Sequence, residues 1–250
     1  MKQKLGQNFL IDKRVAEREI KYAGITKNDV VLEIGPGKGI LTKLLADKAK
    51  KVIAIEIDRN LITLLKKSIP DNVELIYGDC LKIDFDAIPK FNKIVSNLPY
   101  QISSPITFKF LKYDFELAVL IYQKEFADRM VARPDSKDYS RLSVGIFYKT
   151  NCELLENIPK TSFRPQPKVD SCIIRLTPRN IPPFEVLNEK YFQNLTKILF
   201  NNRRKKIKNI IENNYDISLK NIPYIEKRVE NLTPEQIGEL SNILFKTIHF

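Results

Sequence analysis

Val30-Val31-Leu32-Glu33-Ile34-Gly35-Pro36-Gly37-Lys38-Gly39 is the stretch on which the fold turns. Its first half is a β-branched apolar run of strand length, and its second half is a glycine turn. Ile40, Leu41, Leu44 and Leu45 then follow at helical spacing. A strand that enters a helix through bare backbone lets a ligand approach the main chain closely. Dehydrogenases and methyltransferases both use such a turn, so alone it does not separate them.

Working outward, short apolar runs at 52–56, Val73–Tyr77, 93–96 and 117–122 alternate with segments of helical period such as Leu61, Leu64 and Leu65. That alternation predicts an α/β fold with a mostly parallel sheet covered by helices on both faces. A helix is expected over 13–23, with Asp12 as its N-cap and Gly24 as its stop. Another is expected from Ser104-Pro105, read as N-cap and first helical residue, to about Lys112. Residues 140–149 alternate like a strand, yet the length also suits a helix. Prolines 178, 182 and 183 mark a linker, after which the apolar spacing becomes helical. Two domains are therefore expected, a Rossmann-like domain over 1–178 and a small all-α domain over 179–250.

The 250 residues carry a formal net charge of +12, which suits a polyanionic partner, although adaptation to heat or salt also loads a surface with lysine and glutamate. Cys80, Cys152 and Cys172 form no C-x-x-C pair, and His249 is the only histidine. A zinc site, a disulfide framework and a histidine base are thereby disfavoured, and no metal is expected. The polar, basic start and the shortness of the longest apolar run predict a soluble, cytoplasmic chain without membrane contact.

Several residues point to chemistry at the carboxyl ends of the strands. Glu56 lies 21 positions after Gly35, where an acidic side chain accepts hydrogen bonds from ribose hydroxyls. The pair fits a nucleoside as well as a dinucleotide. Asp79, after Gly78, is placed to accept from the exocyclic amine of a bound adenine. Asn97-Leu98-Pro99-Tyr100 then supplies a mechanism. An adenine N6 is a poor nucleophile because its lone pair is delocalised into the ring. The Asn97 carboxamide oxygen and the Leu98 carbonyl, with Pro99 fixing the turn, can accept both N6 hydrogens and push the nitrogen towards tetrahedral geometry. Tyr100 can stack on the purine. The basic run Arg203-Arg204-Lys205-Lys206, read as part of a long helix, can grip RNA phosphates or form a solvated face.

With these blocks in order, the chain resembles the KsgA-type rRNA adenine dimethyltransferase family in its archaeal and eukaryotic style. The resemblance covers almost the whole length. It rests on Gly6-Gln7-Asn8-Phe9-Leu10, the Glu33–Gly37 turn, NLPYQISSP at 97–105, Gln123-Lys124-Glu125, Tyr139–Val144, FRPQPKVDS at 163–171, Asn202–Lys205 and Arg228–Leu232. It implies that 140–149 is a helix. It also implies an S-adenosyl-L-methionine site drawing on Gln7, Asn8, Leu10, Gly35, Gly37, Glu56, Ile57, Asp79, Cys80 and Asn97, with Ile57 and Cys80 flanking the adenine. Phe163 would cover the flipped target base. The implied substrate is a pair of adjacent adenosines in the terminal helix loop of small-subunit rRNA, each methylated twice, with the immature small subunit as partner and a monomeric enzyme. A large-subunit rRNA methyltransferase and a mainly non-catalytic small-subunit assembly factor are the competing readings.

Overall fold

The computed structural model describes residues 7–249. Contacts divide them into two compact units. One comprises the chain up to Ala127 together with Asn151–Pro178, and the other Asp128–Thr150 together with the chain from Arg179 onward. The break after Pro178 lies where the proline cluster suggested a linker. Residues 128–150, however, were expected in the first domain and belong to the second unit.

The first unit is built on a seven-stranded sheet. Following a short β1 (Phe9–Leu10), its strands are β2 (Val30–Ile34), β3 (Lys51–Glu56), β4 (Val73–Tyr77), β5 (Lys93–Asn97), β6 (Leu117–Gln123), β7 (Thr150–Ile158) and β9 (Ser171–Pro178). They run in the order β4-β3-β2-β5-β6-β9-β7, and β8 (Phe163–Arg164) pairs separately with β1. The first five are mutually parallel, and β9 is antiparallel to β6. Because the chain steps outward from β2 through β3 to β4, and then returns to place β5 on the other side of β2, the strand order reverses between β2 and β5. Open α/β sheets form their ligand crevices at such a reversal.

The register explains why the crevice opens there. β2 and β5 pair only at Val31↔Lys93 and Leu32↔Ile94. Above that point the Ser96 hydroxyl takes over, donating to the Ile34 carbonyl at 2.7 Å and accepting from the Ile34 amide at 3.1 Å. A side chain thus spans the gap as the strands part, and the buried polar groups stay satisfied.

Helix α1 (Lys13–Ala23) keeps both expected ends: the Asp12 side chain accepts from the Arg14 amide, and Gly24 is left-handed at φ 54°. Helices α2 (Ile40–Lys48) and α3 (Arg59–Leu65) follow β2 and β3. Helix α4 (Ser103–Phe110) differs from expectation. A 3-10 turn over Tyr100–Ile102 already starts the winding, so Ser104-Pro105 lies inside the first turn rather than capping it, and the helix stops short of Lys112. Proline tolerates this because first-turn amides have no intrahelical acceptor.

The second unit packs α6 (Arg141–Lys149), α7 (Glu189–Asn201), α8 (Ile207–Asn214) and α9 (Pro234–His249) around Val144, Tyr148, Phe192, Leu195, Leu199, Ile207, Ile211, Leu240 and Leu244. Residues 140–149 are thus helical, as the family pattern implied, after α5 (Lys124–Met130). Their alternation arises because Leu142, Val144, Ile146 and Tyr148 are all buried on a helix with little exposed face. The Tyr139 hydroxyl, donating to the Leu232 carbonyl at 2.9 Å, ties this segment to the tail. No helix among the described residues is long and apolar enough to cross a membrane.

Candidate active site

A cavity of about 380 Å³ occupies the crevice above β2, β3, β4 and β5. Every cofactor residue expected from the sequence lines it: Gln7, Asn8 and Leu10 from the N-terminal segment, Gly35 and Gly37 from the turn, Glu56 and Ile57 after β3, Asp79 and Cys80 after β4, and Asn97 after β5. Leu98, Pro99 and Tyr100 line it as well. Gly6, the first residue of the N-terminal motif, lies outside the described residues.

The glycine turn is shaped by two close approaches. A Cβ on Gly35 would lie 3.3 Å from Pro99 Cγ, and one on Gly37 would lie 2.9 Å from the Phe9 ring. Both glycines have positive φ, 69° and 57°, a region side chains rarely adopt. Glycine therefore lets the N-terminal segment and the Asn97–Tyr100 loop close on the same turn.

Glu56 is buried, but three backbone amides hold its carboxylate. Ile57 and Asp58 donate to Oε1 at 2.9 Å each, and Gly37 donates to Oε2 at 3.3 Å. Burial raises its pKa and those amides pull it back. Ile57, beside it, leaves 46% of its surface open, an apolar face presented at a cavity wall. Cys80 is buried, which pushes its thiol up to about 12, so it offers a neutral wall rather than a nucleophile. The Asp79 Oδ1 accepts from the Leu81 amide at 2.9 Å, which leaves the carboxylate's second oxygen for a ligand.

Asn97 and Tyr100 are half-buried, Leu98 is buried and Pro99 is exposed. Tyr100 shares a 2.7 Å hydrogen bond with the Ser171 hydroxyl at the start of β9. Burial raises the Tyr100 pKa, so the ring is neutral and suited to stacking.

Two expectations change. Phe163 is 2% exposed and does not line the cavity. It pairs with Leu10 in the β1–β8 ladder and packs in the core, where it supports the N-terminal segment. The basic run is not part of a long helix, because α7 ends at Asn201 and α8 begins at Ile207, leaving 203–206 in the connection. There Arg203 pairs with Glu230 at 3.2 Å and donates to the Ser136 and Lys137 carbonyls, and Lys206 pairs with Glu226 at 2.7 Å. Arg204 and Lys205 remain exposed.

Phe9, Glu33 and Gln101 fall within the matched sequence blocks but were given no role of their own, and all three line the cavity. Glu33 was signalled by a charge inside the otherwise apolar run VVLEI. Burial pushes its carboxyl up to about 8, with nearby Glu56 adding to the rise. Among the described residues no group of three or more histidine, cysteine, aspartate or glutamate side chains is arranged to hold a metal ion.

With the Glu56 and Asp79 carboxylates on its walls, the cavity disfavours a pyrophosphate and suits a nucleoside bearing positive charge. On this strand order, such a crevice is that of a Rossmann-like methyltransferase, an enzyme that draws its methyl group from S-adenosylmethionine. The chain belongs to the family described as ribosomal RNA adenine dimethylase, whose profile matches residues 1–246. It is 47% identical to a protein named "Probable ribosomal RNA small subunit methyltransferase A" from Methanococcus vannielii, over 98% of this chain and 97% of that one. A Thermococcus onnurineus protein of the same name is 48% identical, over 96% and 91%. Among solved structures, a dimethyladenosine transferase from Plasmodium falciparum superposes with a TM-score of 0.80 at 32% identity, covering 95% of this chain and 96% of that one. The 23S rRNA methyltransferase ErmE superposes at 0.68 with 30% identity, covering 94% and 98%.

Proposed function

We propose that this enzyme dimethylates N6 of two adjacent adenosines in the terminal helix loop of small-subunit rRNA, acting as a cytoplasmic monomer on the immature small subunit. The observation that supports this best is the meeting, in one cavity, of nucleoside-recognition groups (Glu56, Ile57, Asp79) and the Asn97–Tyr100 loop. Glu56 would accept the ribose hydroxyls, Asp79 the adenine amine, and Ile57 with Cys80 would enclose the ring. S-adenosylmethionine supplies an electrophilic methyl group when bound.

The chain's own task is to make N6 reactive and hold it in line. The Asn97 side-chain oxygen and the Leu98 carbonyl accept the N6 hydrogens, and Tyr100 stacks the target base. No charged base is needed for that step. Arg204 and Lys205, with their exposed charges, are the RNA-contacting part of the basic connection. Small-subunit specificity draws on the names of the relatives at 47–48% identity, and the ErmE likeness keeps a large-subunit substrate as the competing outcome. Mapping dimethyladenosine in both rRNAs, from cells with and without this protein, tests the reading. Loss confined to two neighbouring small-subunit positions supports it, whereas loss in the large subunit, or no loss at all, overturns it.

A further inference from the structure

Lys109, in the last turn of α4, reaches back beneath the loop that follows β4. Its ammonium donates to the carbonyls of Cys80 at 2.8 Å, of Leu81 at 3.3 Å, and of Ile83. It also sits 4.3 Å from the centre of the Phe85 ring. Three carbonyls from a four-residue stretch thus converge on one half-buried cation. Their dipoles point at the same spot, so without the positive charge they would repel one another and each would seek water.

The turn so gathered is the one that bears Asp79 and Cys80. The Asp79 carbonyl accepts from the amides of Lys82 and Ile83, and its Oδ1 from that of Leu81, so the carboxylate and the cation organise one turn from both sides. Gly78, just before Asp79, packs closely on Ile83 across the same turn: a Cβ there would lie 2.8 Å from Ile83 Cδ1. Helix α4 itself grows out of the Asn97–Ile102 segment, so the same side chain joins two walls of the cavity.

We propose that Lys109 is a positioning residue for the adenine end of the cofactor, fixing the turn that presents the Asp79 carboxylate and the Cys80 wall to the purine's 6-amino group. The proposal rests on the reading of Asp79 given above. Lys109 touches no reacting atom. Its effect is on recognition: with the ammonium gone, the turn relaxes and Asp79 no longer favours an amine over an oxo group at that ring position.

The test compares binding of S-adenosylhomocysteine with that of S-inosylhomocysteine, which differs by that single group. Calorimetry is done on the full chain for wild type, Lys109→Met and Asp79→Asn. The wild type prefers the adenosyl compound. Lys109→Met lowers the adenosyl affinity by roughly tenfold and leaves the inosyl affinity nearly unchanged, so that the preference collapses. A merely structural loss would weaken both compounds alike. If Lys109→Met keeps the wild-type preference while Asp79→Asn loses it, the proposal is overturned and the reading of Asp79 stands. If both variants keep it, that reading falls and the proposal with it. Should Lys109→Met melt below the assay temperature, Lys109→Gln, whose amide can serve only part of the carbonyl set, replaces it with the same expected loss of preference.

Discussion

The hydroxyls of Tyr100 and Ser171 lie 2.7 Å apart, joining the Asn97–Tyr100 loop to the start of β9 across 71 residues of sequence. Ser171 is fully buried, so this bond fixes a ring that otherwise only lines an open cavity. Ser171→Ala should lower methyl transfer several-fold at saturating S-adenosylmethionine, because Tyr100 loses its orientation, and should cost about 1 kcal/mol of stability. Cofactor affinity should hold. Single-turnover assays beside calorimetry check this, and unchanged transfer in the folded variant would remove Tyr100 orientation from the account.

Glu33 makes stability depend on pH in a defined direction. Its carboxyl titrates near 4.5 when unfolded and about 8 when folded. Below 4.5 both states hold the proton. Between the two values the unfolded chain has released it and the native chain has not, so the native state loses up to about 1.4 kcal/mol for each pH unit gained. Glu19, fully buried on α1, is raised by burial and by Glu33 and acts in the same direction. Glu33→Gln should therefore gain stability relative to wild type steadily from about pH 5 to about pH 8. Urea melts across that window measure the difference, and a difference that stays flat contradicts the buried neutral carboxyl.

The connection between α7 and α8 limits how much RNA affinity its cations can contribute. Arg203 and Lys206 already face Glu230 and Glu226. Replacing Arg204 and Lys205 with glutamine should reduce the slope of log affinity against log salt by about 1.4 to 1.8, at roughly 0.7 to 0.9 for each phosphate left without its cation. Cofactor binding should not change. An unaltered slope would make this run a solvated face.

The five parallel strands were legible as short apolar runs, with β2 and β4 found at their expected bounds, whereas β7 and β9, which complete the sheet, were not read as strands. The lining of the cavity was legible because glycine, acidic and loop motifs stand at strand ends. What failed depended on packing between residues distant in sequence. Phe163 is an aromatic beside an RNA-side motif, and only its pairing with Leu10 reveals it as core. The break after Asn201 carries no glycine or proline, so the apolar spacing of α7 and α8 read as continuous. Residues 128–150 gave no composition shift, and it is Tyr139, Val144 and Tyr148 packing on α7 that place them in the helical unit. Lys109 carries no sequence signal of its own; its three carbonyl partners mark it only in the fold.

The most direct test is methyl transfer by Asn97→Ala on small subunits from cells lacking the modification, at saturating S-adenosylmethionine, with particle binding measured in parallel. Asn97 ends β5, is half-buried and lines the cavity, so its loss removes one acceptor for an N6 hydrogen while the wider RNA interface stays in place. The account predicts binding close to wild type and transfer lowered by roughly a hundredfold or more, the scale of one preorganised transition-state hydrogen bond. Transfer within a few-fold of wild type would contradict it, because N6 would then be activated without the group on which the mechanism depends.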